Sequence, residues 1–253
     1  TMSGFSSTGA TILNDIEKLP HGLLFWRSMT QWIGGLGIVF FTIAVLPIFG
    51  VGGIQVFAAE ASGPTHDKVH PRIGITAKWI WGIYAGLTGT LIILLMFGGM
   101  NIFDSICHAF ATTSTGGFST KQASIEYYHS PYIEYVISIF MFISGINFTL
   151  LLLFVNGKLK KFVHDAELKW YFWSVTGFTI VIAAILYYNS SMGVEEAFRK
   201  SLFQVASLHT STGFATADYM TWPAITWGML TVIMIMGACA GSTTGGIKSI
   251  RLV

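Results

Sequence analysis

Charge is what this sequence lacks most. Only 10% of its 253 residues are Asp, Glu, Lys or Arg, where a water-soluble domain carries roughly a quarter. A chain this poor in charge cannot coat a globule with hydrated surface, so a soluble enzyme is excluded. The net charge of +2 is too small to point to a nucleic-acid partner. The two cysteines, Cys107 and Cys239, lie far apart and form no disulfide pattern. No Cys or carboxylate accompanies His108 or His209 at metal-ligand spacing, so both read as packing or hydrogen-bonding residues. The chain opens at Thr1 without a Met or a visible secretory leader, and reads as an internal fragment or a trimmed chain. The alternating ten-residue segments of a membrane β-barrel are missing too.

What is present is long and apolar. Five stretches hold no charged residue: Ser28 to Ala59, Trp79 to Phe103, Tyr135 to Gly157, Trp170 to Val194 and Tyr219 to Ile247. Each exceeds the ~20 residues that a helix needs to cross a hydrocarbon core. The loops between them fix an orientation. Lys68, Arg72, Lys78, Lys158, Lys160, Lys161, Lys169, Lys248 and Arg251 fall on one side with four acids; the other side has five basic residues and eight acids. The positive-inside rule makes the first side cytoplasmic. An acidic excess outside would help to concentrate cations.

A short motif recurs about every hundred residues: Ser6-Ser7-Thr8-Gly9, Thr113-Ser114-Thr115-Gly116 and Thr210-Ser211-Thr212-Gly213. Gly117-Phe118-Ser119-Thr120 loosely matches Phe214-Ala215-Thr216 after it. Before the second copy come a span, the Gly98-Gly99 break and a short segment from Ile102 to Thr112. Before the third come a span, the Asn189-Ser190-Ser191 break and a segment from Glu195 to His209. After each copy another span begins: Leu23 to Pro47, Tyr132 to Val155, and Trp222 onward. The unit is thus outer helix, short helix, Ser-Thr-Gly loop, inner helix.

Chain direction makes the short segment re-entrant, because the outer helix ends outside and the inner helix starts there. About ten residues give only ~15 Å of helix, half the membrane. Irregular backbone at that depth must line a wet cavity or lie within protein. Gly permits angles that aim consecutive carbonyls the same way, and small hydroxyl residues leave a narrow path open. Carbonyl oxygens can replace the hydration shell of a cation such as K⁺, and each short helix aims its negative end at the ion. One Ser-Thr-Gly is a common cap or loop; three in the same context carry the reading.

These residues resemble the Trk/Ktr/HKT superfamily of K⁺ transporters, closest to the membrane subunit of the bacterial TrkH type. The resemblance rests on Phe25-Trp26-Arg27 with Gln31-Trp32-Ile33-Gly34-Gly35-Leu36-Gly37, on Cys107-His108-Ala109-Phe110, and on Ala240-Gly241-Ser242-Thr243-Thr244-Gly245-Gly246-Ile247-Lys248. It runs along essentially the whole chain. It implies an all-α membrane protein with pseudo-fourfold helix–pore loop–helix units, here lacking part of repeat 1 and all of repeat 4. The division it implies is 1–60 for the end of repeat 1, 61–164 for repeat 2 and 165–253 for repeat 3. It further implies K⁺ ligands at the backbone carbonyls of Ser7, Thr8, Ser114, Thr115, Ser211 and Thr212, beside Gly9, Gly116 and Gly213. Gly9 favours K⁺ over Na⁺, since a Ser at that place accompanies Na⁺ permeation in plant members. The implied function is K⁺ uptake, with a possible symport character, through the bacterial cytoplasmic (inner) membrane, without covalent chemistry or an organic cofactor. The implied partners are a second copy of the chain, the lipid bilayer and a cytosolic nucleotide-binding subunit of the TrkA or KtrA kind. Loops Lys68–Lys78 and Lys158–Lys169 are candidate docking surfaces, the alternative being that their charge simply follows the positive-inside rule.

A second glycine cluster, Gly237 to Gly246, interrupts the last inner helix. Interior glycines cost about 1 kcal/mol each in a helix, so a break is expected below the loops. The resemblance implies an intramembrane gating loop comprising Gly237, Gly241, Ser242, Thr243, Thr244, Gly245, Gly246 and Lys248. Close helix packing through small residues is the alternative. A phosphate loop is rejected, because Ile247 separates Gly246 from Lys248 and no strand precedes.

Arg27 is expected to snorkel or to pair with a pore-helix acid. Asp104, Glu195 and Glu196 suit the positive ends of the short helices and could also attract cations. Tryptophans such as Trp170, Trp173, Trp222 and Trp227 flank spans, while Gly34, Gly35, Gly37 and Gly145 suit tight helix approach. Two rivals stay open. A Na⁺-coupled solute carrier with broken helices would need inverted repeats, and an intramembrane hydrolase would need a convergent base and nucleophile.

Overall fold

A computed structural model describes residues 1–45, 73–190 and 192–251. The helices are α1 (Met2–Phe5), α2 (His21–Val45), α3 (Ile73–Phe97), α4 (Ile102–Thr113), α5 (Pro131–Ser144), α6 (Phe148–Val155), α7 (Leu159–His164), α8 (Ala166–Asn189), α9 (Val194–His209) and α10 (Ala224–Ile235). Among the described residues the β-structure is limited to an isolated bridge between Met236 and Ile247. The chain is all-α, as the sequence implies. Pro47, Ala59, the 60/61 boundary, Lys68 and Arg72 lie outside the described residues. The 164/165 boundary falls between α7 and α8, where the Asp165 side chain accepts the Leu168 N–H at 2.8 Å and caps α8.

Among the described residues two helices are long and apolar enough to span a membrane: Lys78–Phe97 within α3, at 20 residues, and α8, at 24. They carry their apolar side chains outward. Ile93, Met96 and Phe97 on α3, and Phe172, Trp173, Ile180 and Val181 on α8, are exposed. A soluble protein would not spread that much apolar surface along a helix, whereas lipid satisfies it. Trp173 and Trp227 are exposed as belt residues should be, but Trp222 is buried against the core.

The re-entrant segments form as short helices. Asn101 caps α4 by accepting the Asp104 N–H at 2.7 Å, and α4 stops after 12 residues, about 18 Å of rise. That length covers little more than half of a ~30 Å hydrocarbon core. α9 begins with Glu195 and Glu196 in its first turn, where acids meet the positive dipole end. α4 packs on α3 and on α2, and α9 packs on α8 and α5.

The units are clipped together in a repeated way. Tyr84 on α3 donates its hydroxyl to the Trp32 carbonyl on α2 at 3.0 Å. Tyr171 on α8 donates to the Phe142 carbonyl on α5 at 3.2 Å. A glycine stands beside each tyrosine: a Cβ on Gly35 would crowd Ser114 and Tyr84, and one on Gly145 would crowd Tyr171 and Thr210. Outer helix, preceding inner helix and the Ser-Thr-Gly loop thus meet at equivalent places in two units.

The span expected from Tyr132 to Val155 is not one helix. α5 and α6 meet at 101° across Gly145-Ile146-Asn147. Asn147 starts α6 afresh by accepting the Thr149 N–H at 2.8 Å. The backbone groups freed at the bend are taken up by the glycine-rich segment: Cys239 N–H donates to the Gly145 carbonyl, and Phe148 N–H donates to the Gly241 carbonyl, both at 3.1 Å. This is how irregular backbone survives at membrane depth.

Candidate ion-coordinating site

Each short helix ends in a loop with one backbone pattern. Ser7, Thr115 and Ser211 adopt φ of 52°, 50° and 53°, and Gly9, Gly117 and Gly213 adopt 75°, 76° and 84°. The residues between them, Thr8, Gly116 and Thr212, stay outside the positive-φ set. The positive φ thus alternates along each loop, and its second place is held by Gly, which adopts it without strain. Hydrogen bonds repeat in step. The Thr8, Gly116 and Thr212 N–H groups donate to the carbonyls of Ser3, Ala111 and Ser207 at 3.1, 2.8 and 2.8 Å. Ser6, Ser114 and Thr210 donate their hydroxyls four residues back, at 3.0, 2.7 and 2.7 Å.

This geometry corrects the alignment read from the strings. Thr113-Ser114-Thr115-Gly116 is identical to Thr210–Gly213 in letters, but the backbone equates Ser114-Thr115-Gly116-Gly117 with Thr210–Gly213 and with Ser6–Gly9. The second loop carries Gly116 where the others carry threonine. Gly117-Phe118-Ser119-Thr120 then corresponds to Gly213-Phe214-Ala215-Thr216.

The three loops lie side by side. A Cβ on Gly9 would collide with the Gly116 carbonyl, and one on Gly117 with the Thr212 carbonyl; Gly213 meets nothing within 4 Å. Ser6, Ser7, Thr8, Thr115 and Ser211 line one cavity of about 320 Å³ together with Thr243, Thr244 and Gly245. Residues from four distant parts of the chain thus share one hollow. Its lining is hydroxyls and backbone, with no charged side chain.

The glycine-rich segment closes on itself and then on the loops. Gly237 N–H donates to the Ile247 carbonyl at 2.8 Å and Ile247 N–H to the Ile235 carbonyl at 3.1 Å, with Gly246 packed on Gly237. Ser242 bonds the Cys239 carbonyl at 2.6 Å and the Thr244 hydroxyl at 2.8 Å. Lys248 donates to the Thr244 carbonyl. Toward the loops, Thr115 donates its hydroxyl to the Thr243 carbonyl at 2.9 Å, and Gly245 N–H donates to the Ser211 hydroxyl at 2.7 Å. The segment stands directly against the residues that open the left-handed alternation.

Around this centre the polar side chains act as braces. Asp104 is buried and accepts from Thr120 at 2.6 Å and Asn101 at 2.9 Å, which ties α4 to the chain leaving its loop rather than exposing a charge to ions. His108 bonds the Asp104 carbonyl at 2.8 Å and Ser119 at 3.0 Å. His209 packs against Tyr171. Arg199 bridges Glu134 at 2.6 Å and Glu195 at 2.8 Å; its hydrogen bond holds the exposed Glu195 carboxyl below the usual carboxylate range. Arg27 pairs with no acid among the described residues; its guanidinium lies 4.3 Å from the Phe118 ring centre, a cation–π contact.

Two residues of this centre carry no individual assignment from the sequence. Glu167 counts there only as a cytoplasmic acid. It is buried, and Oε1 accepts the N–H groups of Ala240 at 2.6 Å and Ile250 at 3.1 Å, fastening both ends of the glycine-rich segment. Gln31 appears there only within a motif, yet it reaches the second loop. Its signal is a carboxamide in a charge-free apolar run, where a polar group needs a buried partner.

Short helices ending in loops that meet at one hydroxyl-lined hollow, beside long apolar helices, define a membrane protein of the pore-loop class. Comparison with known proteins narrows this. The family model described as "TrkH: Cation transport protein" matches residues 1–253, and the chain belongs to that family. The Trk system potassium uptake protein TrkH of Escherichia coli is 43% identical over the whole of this chain and 53% of its own length. The protein of the same name from Halomonas elongata is 40% identical, again over 53% of its length. The crystal structure of the potassium transporter TrkH from Vibrio parahaemolyticus superposes with a TM-score of 0.83 at 35% identity, covering 99% of this chain and 51% of that one. The chain spans about half the length of these relatives.

Proposed function

We propose that this chain contributes three filter loops and a gate to a protein that takes up K⁺ through the bacterial cytoplasmic membrane. The observation that carries the proposal is the repeated alternation at Ser7-Thr8-Gly9, Thr115-Gly116-Gly117 and Ser211-Thr212-Gly213 around one cavity. In each loop the carbonyls of the first two residues, with the carbonyl before them, are the proposed ligands; Ser114 thereby takes the place of Ser6 and Thr210. Dehydration is compensated by these oxygens, and α4 and α9 direct their negative ends at the site. A complete ring needs a fourth loop, proposed to lie elsewhere in the whole protein, in a pseudo-fourfold arrangement with repeats divided as 1–60, 61–164 and 165–253. Thr243, Thr244 and Gly245 are the proposed gate, held in a closed position beneath the filter.

A second copy of the protein and a cytosolic nucleotide-binding subunit of the TrkA or KtrA kind are the proposed partners. Lys158, Lys160, Lys161 and Lys169 are exposed around α7 and are available for docking. A Na⁺-coupled solute carrier is not favoured. The cavity has the volume of a small ligand site, but it offers no charged side chain to hold a solute, and the loops run in the same orientation. The test is isotope flux through the full-length protein in liposomes, with K⁺ and Na⁺ compared. K⁺ flux is expected to exceed Na⁺ flux; equal fluxes, or none of either ion, overturn the reading.

A further inference from the structure

The second loop differs from its two neighbours in a way that points to a residue on another helix. In the first and third loops the middle residue is a threonine whose hydroxyl pairs with that of the residue two before it: Ser6 with Thr8, and Thr210 with Thr212, both at 2.7 Å. In the second loop the middle residue is Gly116, which has no hydroxyl. Its place is filled by Gln31 from α2. A Cβ on Gly116 would lie 2.6 Å from Nε2 and 2.7 Å from Oε1 of Gln31. The carboxamide is fully buried and uses both ends. Nε2 donates to the Gly116 carbonyl at 2.5 Å, and Oε1 accepts the Phe118 N–H at 3.1 Å. The two bonds straddle Gly117, so they fix the peptide planes on either side of the left-handed glycine.

We propose that Gln31 is a positioning and specificity-determining residue for ion passage: it sets the direction of the Gly116 carbonyl from the space that a threonine side chain takes in the other loops. The inference rests on the filter reading above. The Gly116 carbonyl shares its electron density with an amide donor, whereas the Thr212 carbonyl has no such side-chain donor among the described residues. The ring at this level is therefore unequal, with one oxygen restrained and its field on the ion reduced. Selectivity depends on the number, field and position of such oxygens. Releasing one therefore shifts the balance toward the smaller Na⁺, which needs oxygens of stronger field that can close in on it to replace its water.

The test uses the full-length protein in liposomes, reading the K⁺/Na⁺ flux ratio beside thermal stability. Gln31→Glu keeps the acceptor for Phe118 and loses the donor to Gly116. Gln31→Met keeps the volume and loses both bonds. Both are expected to lower the K⁺/Na⁺ ratio, by roughly tenfold for Met and less for Glu. Gln31→Ala with Gly116→Thr makes the second loop like the others, and is expected to recover most of the ratio lost in Gln31→Ala alone. A purely structural role would shift melting without altering the ratio. If the unaltered protein prefers K⁺ while Gln31→Met keeps that ratio, or the double variant recovers nothing, the positioning role is wrong. If the unaltered protein passes no K⁺, the filter reading itself fails.

Discussion

The three proposed filter loops and the glycine-rich loop packed against them are both irregular backbone, but they are held in different ways. The proposed filter loops are fastened mainly by their own short helices: Thr8, Gly116 and Thr212 N–H each bond a carbonyl five residues back, and the Ser6, Ser114 and Thr210 hydroxyls bond carbonyls four residues back, with Gln31 added as a distant brace on the second loop. Displacing one means unwinding the helix end that carries it. The glycine-rich loop is fastened from far away, by Glu167, Gly145, Phe148, Thr115 and Ser211. Those bonds can be exchanged for water without unfolding any helix. On the proposed reading, a fixed ligand cage and a removable plug are made from the same small residues. What distinguishes them is how much of the fastening comes from the helix that carries the loop.

Breaking the rigid half should have the largest effect. Gly117→Ala places a side chain at a φ of 76° against the Thr212 carbonyl. Left-handed strain alone costs about 1–2 kcal/mol, and the clash adds to it. K⁺ flux in the full-length protein should fall by roughly a hundredfold or more, while Gly213→Ala, which meets no neighbour within 4 Å, should cost only the strain. Equal losses at the two glycines would contradict the side-by-side packing of the loops.

The removable half should respond in the other direction. Glu167→Ala deprives the Ala240 and Ile250 N–H groups of a charged acceptor, a loss of about 2 kcal/mol. Resting K⁺ flux is expected to rise roughly tenfold or more, with the K⁺/Na⁺ ratio unchanged because the filter is untouched. A fall in flux would mean that Glu167 supports the open rather than the closed loop. The smallest effect belongs to Thr243→Val. It removes three long hydroxyl contacts, to the Thr113 carbonyl at 3.3 Å, the Ser144 carbonyl at 3.4 Å and the Thr115 hydroxyl at 3.3 Å. About 0.5 kcal/mol predicts roughly a twofold rise in resting flux.

Much of this was legible in the sequence because the membrane imposes long-range regularity. Charge-free runs predicted α3 and α8, and the string at Thr113–Gly116 and Thr210–Gly213 announced the re-entrant loops. The glycine cluster from Gly237 predicted where the last helix stops. The register of the second loop was not legible, since an identical four-letter string favoured the wrong equivalence by one residue. Gly116 makes sense only beside Gln31, 85 residues away. The bend at Gly145–Asn147 was hidden for a similar reason. The apolar run continues through it, and the groups that satisfy the freed backbone come from Cys239 and Gly241. Glu167 looked like an ordinary cytoplasmic acid because its partners are main-chain amides, which every sequence contains.

Thr115 and Ser211 belong to both halves at once: each opens a filter loop and each bonds the segment below it. Thermodynamic linkage then runs both ways. Whatever change in ion affinity accompanies release of the lower segment, ion occupancy must return to that segment as an equal change in its tendency to let go. External K⁺ would on this account act as an effector of the exit as well as the cargo passing through it.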